Sequence, residues 1–218
     1  ANEMLSGMDV LSTRDSLIVA AAALAAEHAD ALTAEESRIV DGCDAPSPSR
    51  SDLAKIRELI RAGRDPLGTA YCRVHSAELR RPLGQTYTSR EIVEAMTAWA
   101  AANGSPTRVV DPGTGSGRYL LAAAKSFPEA RLFGVDVDPL AALMLRANLA
   151  ACGLADRAEV RVSDFRTLIL PPADGSTLFL GNPPYVRHHS IPPEWKEWFA
   201  ATAKRHGLKA SKLAGLHV

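Results

Sequence analysis

The stretch Arg108-Val109-Val110-Asp111-Pro112-Gly113-Thr114-Gly115-Ser116-Gly117 decides how this chain folds. It begins as an apolar, strand-like run and ends in an acid. Three glycines at alternate positions then let the backbone turn sharply and leave room for a ligand against the main chain. Helical spacing follows directly, over residues 117–126. The glycine pattern alone also occurs in ordinary strand-to-helix turns. Its place between a strand and a helix is what points to a ligand-binding loop.

The same alternation continues downstream. Strand-like runs at 131–136, 159–162 and 177–180 are separated by short connections and by a second helical stretch at 139–151. Strands alternating with helices predict an α/β fold with a parallel, doubly wound sheet. Upstream, residues 1–81 read as a helical N-terminal region and 82–218 as the α/β domain. Ser12 or Thr13 can cap a helix running to His28. A second helix is expected after Leu32-Thr33, with Glu35 and Glu36 in its first turn. Residues 44–49, rich in proline and serine, form a linker. Ser51-Asp52 opens a third helix, and Asp65-Pro66 starts a fourth segment ending near Arg80-Arg81-Pro82. There is no internal repeat.

Composition narrows the class. With 218 residues, 46% hydrophobic and 23% charged, the chain can bury one sizeable core and reads as soluble and globular. Lys and Arg number 25, Asp and Glu 25, so the formal net charge is zero. A compact stand-alone nucleic-acid reader would carry a basic excess, so any such contact must be local or aided by another chain. The apolar run 17–26 is too short to span a bilayer. The N-terminus lacks the basic region and cleavage pattern of a secretory signal. Cys43, Cys72 and Cys152 form neither a metal-ligand pair nor a disulfide framework, and the expected compartment is the cytoplasm.

Each strand end offers a polar group. The second closes on Gly134-Val135-Asp136-Val137-Asp138-Pro139. An acid about 20 positions past the glycine loop is placed to hold a ribose diol, which favours Asp136. Asp138, before Pro139, suits a helix cap instead. The third strand ends in Asp164-Phe165; these can accept from an adenine amino group and pack on its ring, or serve as a loop acid and a core aromatic. The fourth ends in Gly181-Asn182-Pro183-Pro184-Tyr185. Two consecutive prolines make this turn rigid. It can aim the Asn182 amide oxygen and the Pro183 carbonyl at one NH2 group, with Tyr185 as a flat stacking face. The target is therefore an exocyclic amino or an amide nitrogen. A dinucleotide dehydrogenase does not fit, since the loop lacks G-x-G-x-x-G, and no Lys-Ser or Lys-Thr marks a P-loop.

Together these residues resemble the S-adenosylmethionine-dependent N6-adenine DNA methyltransferases of restriction–modification and related defence systems. The resemblance covers residues 82–189. Gly84-Gln85-Thr86-Tyr87-Thr88-Ser89 looks like the upstream motif beside the methionine end of the cofactor. Residues 111–117 look like the glycine-rich loop, although the family more often has Ala-Cys where this chain has Gly113-Thr114. The segment Gly181-Asn182-Pro183-Pro184-Tyr185-Val186-Arg187 looks like the catalytic one. The resemblance implies a Rossmann-like methyltransferase fold and S-adenosyl-L-methionine as cofactor. It would be held by Tyr87, Thr88, Asp111, Gly113, Gly115, Gly117, Asp136, Asp164 and Phe165. Asn182, Pro183, Pro184 and Tyr185 would be catalytic, with no metal, acting on an adenine flipped out of double-stranded DNA.

In that family further strands and a target-recognition region follow the catalytic segment. The sequence is accordingly expected to be the N-terminal, catalytic piece of a longer enzyme, its sheet incomplete and its DNA-recognition region or subunit elsewhere. Protein-glutamine methyltransferases acting on release factors share Asn-Pro-Pro-Tyr and a helical N-terminal domain, and are the main alternative. Gln85-Thr86-Tyr87-Thr88 and Val186-Arg187-His188-His189 favour the DNA enzymes. Ribosomal-RNA base methylation is a weaker option, and a non-catalytic module that binds cofactor or a partner is a different one. Trp195, Trp198 and Phe199, at helical spacing, read as core or interface.

Overall fold

A computed structural model describes residues 9–26, 32–75, 88–183 and 191–209. They fall into two units, Ala1–Val74 with Tyr87–Asn182 and His75–Thr86 with Pro183–Val218. The first holds a parallel sheet of β1 (Arg108–Pro112), β2 (Arg131–Asp136), β3 (Ala158–Val162) and β4 (Thr177–Phe179), in the order β3-β2-β1-β4. Successive side chains on a strand point to opposite faces, and the buried residues divide accordingly. Val109 and Leu132 enter one core cluster, and Val110 and Phe133 another on the opposite face. Burial on both faces is why these strands read as continuous apolar runs.

Three helices cover the first face: α5 (Arg90–Asn103), α6 (Arg118–Ser126) and α7 (Pro139–Ala151). Phe165, Leu168 and Leu170 pack against the second. The helices α1 (Arg14–Ala25), α2 (Ala34–Asp41), α3 (Arg50–Arg61) and α4 (Pro66–Val74) add a further layer. Leu17, Ile18, Leu24, Ile56, Ile60 and Leu67 share one core with Leu140, Leu143, Met144 and Ala147 of α7. The N-terminal helices, which composition left free to pack anywhere, thus lie on the outer side of α7. That helix is buried around nearly its whole circumference, as a helix that is apolar all round apart from Arg146 and Asn148 requires.

Local chemistry starts these helices. Thr13 with Ser16, Thr33 with Glu36 and Ser49 with Asp52 each form a reciprocal capping box. The third helix therefore begins at Arg50 under Ser49, slightly ahead of the expected Ser51-Asp52, because Asp52 is the reciprocal partner at the third helical position. Asp138 caps α7, accepting from the Leu140 N–H at 3.0 Å. Helix α1 ends at Ala25, short of the expected His28, and α4 at Val74; the expected continuations to His28 and toward Arg81 run into residues outside those described.

In the second unit α8 (Pro193–Arg205) is the described helix, and Trp195, Trp198 and Phe199 are half-buried. No helix among the described residues is long and apolar enough to cross a membrane.

Candidate active site at the carboxyl ends of the strands

Strand β1 has β2 on one side and β4 on the other, so the strand order reverses beside it. In open parallel sheets that reversal opens a crevice at the carboxyl ends of the strands, where ligands bind. Asp111 and the glycine loop stand at the end of β1, Asp136 at the end of β2, and Asn182 just past β4. The Leu180 N–H donates to the Val110 carbonyl at 2.9 Å, which brings Gly181 against Asp111. A Cβ on Gly181 would sit 2.2 Å from Asp111 Oδ1. Only glycine lets β4 approach this closely.

The loop is a set of left-handed turns. Gly113, Gly115 and Gly117 have φ of 95°, 54° and 89°, values that L side chains rarely adopt. The Gly113 and Thr114 N–H groups donate to the Val135 carbonyl at 2.7 and 3.0 Å. The Gly115 N–H donates to Asp136 Oδ2 at 2.9 Å. From the other side, buried Asn148 of α7 donates to the Ser116 carbonyl at 2.8 Å. The loop is thereby pinned between β2 and α7.

The electrostatics are unusual. Asp111 is 1% exposed, and among the described residues neither its oxygens nor the Thr114 hydroxyl has a hydrogen-bond partner. Burial pushes the Asp111 carboxyl up to about 8; Thr114 opposes the shift without reaching hydrogen-bond geometry, and the nearby Asp136 charge adds to it. Burial also raises Asp136, to about 6, against hydrogen bonds from the Asp138, Gly115 and Val137 backbones. Two carboxylates at adjoining strand ends make a locus that a cation would stabilise.

Asp164 differs. Arg166 grips its carboxylate through the guanidinium and the backbone N–H, and holds it below the usual carboxylate range. Phe165 is partly buried against Val110, Phe133 and Val135, and meets Phe179 edge-to-face at 6.1 Å. Asp164 is thus a loop acid with a cation on it, and Phe165 an aromatic at the edge of the core.

Asn182 Nδ2 donates to Thr88 Oγ1 at 3.0 Å. The Thr88 carbonyl in turn accepts from Arg118 Nη1 at 2.6 Å, and Arg118 Nε donates to Asp65 at 2.6 Å. Of the remaining expected site residues, Pro183 is exposed, while Tyr87, Pro184 and Tyr185 lie outside the described residues. Sequence reading missed Asp65, Ser116 and Arg118, having taken Asp65 only as a helix start. It also missed Tyr71, whose hydroxyl donates to Asp138 at 2.9 Å.

Comparison with known proteins agrees with this geometry. A family model described as a methyltransferase domain matches residues 109–205. The type II methyltransferase M.XamI of Xanthomonas campestris pv. amaranthicola is 45% identical over 216 residues, 95% of this chain and 39% of that protein. A tRNA1(Val) (adenine(37)-N6)-methyltransferase of Porphyromonas gingivalis is 36% identical over 44% of this chain and 40% of its own. A release factor glutamine methyltransferase of Cereibacter sphaeroides is 28% identical over 84% of this chain and 71% of its own. The chain spans about two-fifths of the first two relatives. Residues 109–205 thus match a methyltransferase domain, set on a Rossmann-like parallel sheet.

Proposed function

We propose that this chain carries the catalytic domain of an S-adenosylmethionine-dependent methyltransferase acting on the N6 amino group of adenine in double-stranded DNA. The observation that carries the reading is the orientation of Asn182. Its amide nitrogen is engaged by Thr88, so its oxygen is the atom offered to a substrate N–H. An acceptor at the end of β4, beside a loop built for a nucleotide-like cofactor, suits transfer to an amino nitrogen.

The residues present fit the cofactor. Asp111 and Thr114 hold buried polar atoms without partners, next to a second carboxylate, Asp136, and S-adenosylmethionine brings an ammonium and a sulfonium. Asp136 keeps lone pairs beyond those used by Gly115 and Asp138, enough to accept from a ribose hydroxyl. Phe165 offers an apolar edge for a purine, and Asp164 can accept from its amino group where Arg166 yields one oxygen. When bound, the cofactor supplies an electrophilic methyl group.

Asn182 Oδ1 and the Pro183 carbonyl accept hydrogen bonds from the target NH2, favour tetrahedral character at nitrogen and leave its lone pair free to attack. The nitrogen would take the methyl group as the carbon's bond to the sulfonium sulfur breaks to leave a thioether, and the proton it loses would pass to solvent. No side chain becomes a covalent nucleophile, so catalysis is positioning and electrostatics. Tyr185 stacks on the flipped base and offsets part of an unstacking cost of a few kcal/mol. With zero net charge on this chain, much of the grip on DNA comes from another region or subunit.

Transfer of a tritiated methyl group to adenine-containing duplex DNA, tRNA and release-factor protein, compared side by side, tests the reading. Duplex DNA is the expected acceptor; preference for release factor would move the chain to the glutamine-modifying branch. Asn182→Ala should lower transfer by about 100-fold or more while calorimetric binding of S-adenosylmethionine persists. Undiminished transfer by that variant overturns the mechanism.

A further inference from the structure

We infer that Thr88, Arg118 and Asp65 form a relay that sets the orientation of the Asn182 carboxamide, so that the N-terminal helical layer positions the catalytic turn. The inference rests on the reading of Asn182 given above. An asparagine amide presents an acceptor on one side and a donor on the other, and rotation by 180° exchanges them. An Asn182 turned the wrong way would offer its NH2 to the substrate amino group, donor facing donor. Something must hold the nitrogen, and Thr88 Oγ1, at 3.0 Å, is the atom that does so.

Thr88 lies just ahead of α5, outside any helix or strand. Arg118 Nη1 restrains it by donating to the Thr88 carbonyl at 2.6 Å. Arg118 is held by Asp65, whose Oδ2 accepts from Arg118 Nε at 2.6 Å and from the Ser116 hydroxyl at 2.7 Å. Asp65 Oδ1 accepts from the Gly68 N–H at 2.8 Å. Side-chain exposure is 14% for Asp65 and 27% for Arg118, so the pair is shielded from much of the solvent screening that weakens surface ion pairs.

A second observation shows a built joint. Gly68, in the first turn of α4, has no room for a side chain. A Cβ there would lie 2.2 Å from Asp65 Oδ2 and 2.7 Å from Ser116 Oγ. The helix is bare of a side chain where it must accommodate the carboxylate and the glycine-loop serine together. One acid from the N-terminal region therefore touches the cofactor loop through Ser116. Through Arg118 it also reaches the strap that orients Asn182. Asp65, Arg118 and Thr88 are positioning residues; in this scheme they touch no reacting atom.

Thr88 was also a candidate cofactor contact, and the two roles separate in kinetics. In the full-length protein, Thr88→Val removes the hydroxyl with little change of shape. It should lower kcat by about tenfold or more, with S-adenosylmethionine Kd changed less than twofold. Thr88→Ser, which keeps Oγ1, should restore most of the rate. Arg118→Lys should lower kcat in the wild-type background but add little to Thr88→Val, because both act through one amide.

The same variants should shift the Asn182 side-chain NH2 resonances in cofactor-free protein, a readout that needs no turnover. A Thr88→Val enzyme with normal kcat and weakened cofactor binding would overturn the relay, as would unmoved Asn182 resonances in both variants. Absence of methyl transfer by wild type to every acceptor would instead sink the functional reading, and the resonance measurement would still decide the relay.

Discussion

The layer of α1–α4 and the half running from β1 to the turn after β4 hold their shapes by different means. In the helical layer, polar groups at the starts of α1, α2 and α3 are closed by reciprocal caps, and apolar side chains fill the space against α7. In the strand half, five glycines have positive φ, three of them in the loop after β1, and Asp111, Thr114 and Asn148 keep buried polar atoms without partners among the described residues. Such features cost stability and persist only where the surroundings determine them. Strand β2 and helix α7 hold the loop, and the helical layer braces both from outside. Glu36, Asp65 and Tyr71 reach across to Arg146, Arg118 and Asp138. The region without a recognisable motif stabilises the region that has all of them.

The most damaging way to break that arrangement is to remove Glu36. It is fully buried, accepts from Arg146 Nε at 2.7 Å, and also accepts from the Thr33 N–H at 2.8 Å. Glu36→Ala strands the Arg146 guanidinium in a largely buried position and should cost about 3–5 kcal/mol in urea unfolding. Fluorescence and far-UV dichroism should report one coincident transition for both regions; two separate transitions would show that the layers fold apart.

A smaller effect sharpens the contrast through pH. Asp111 is raised to about 8 and Asp136 to about 6, both above the ordinary carboxylate value of the unfolded chain. The folded state thus holds extra protons, and the associated stability is present at low pH and lost as pH rises through those values. Between pH 6 and 8 Asp111 accounts for most of the slope, up to about 1.4 kcal/mol per pH unit. Asp111→Asn, neutral throughout, should flatten the decline in melting temperature over that interval. An unchanged slope would mean that Asp111 is not the group holding the proton. Least disruptive is Ser49→Ala, which removes one cap of α3 for about 1 kcal/mol and should leave S-adenosylmethionine affinity unaltered in calorimetry.

Much of this fold was legible from local pattern, because strands buried on both faces and helices opened by a capping residue are local statements. Strand β2 and helix α7 fall where the apolar runs place them, and Asp138 caps α7 as its position before Pro139 requires. The pairs that tie the layers together were not legible. Asp65 and Arg118 lie 53 residues apart, Tyr71 and Asp138 67, Glu36 and Arg146 110. Nothing within a window of ten residues marks one member as awaiting the other. Asp164 is different, since its partner Arg166 lies two positions on and within the reach of a local reading. Gly181 was also within reach, as a bare residue before Asn182 that lets β4 close on an acid.

Helix α7 carries a consequence of its own. From Leu140 to Ala151 every residue except Arg146 is buried, and Arg146 spends its side chain on Glu36 and the Val160 carbonyl. An ordinary surface helix tolerates change on its outward stripe, so a saturation-mutagenesis map of it shows a wave with the helical period. Helix α7 has no outward stripe. Its map should be a flat block of intolerance over twelve residues, and drift in relatives should come as compensated pairs with α1 or the sheet.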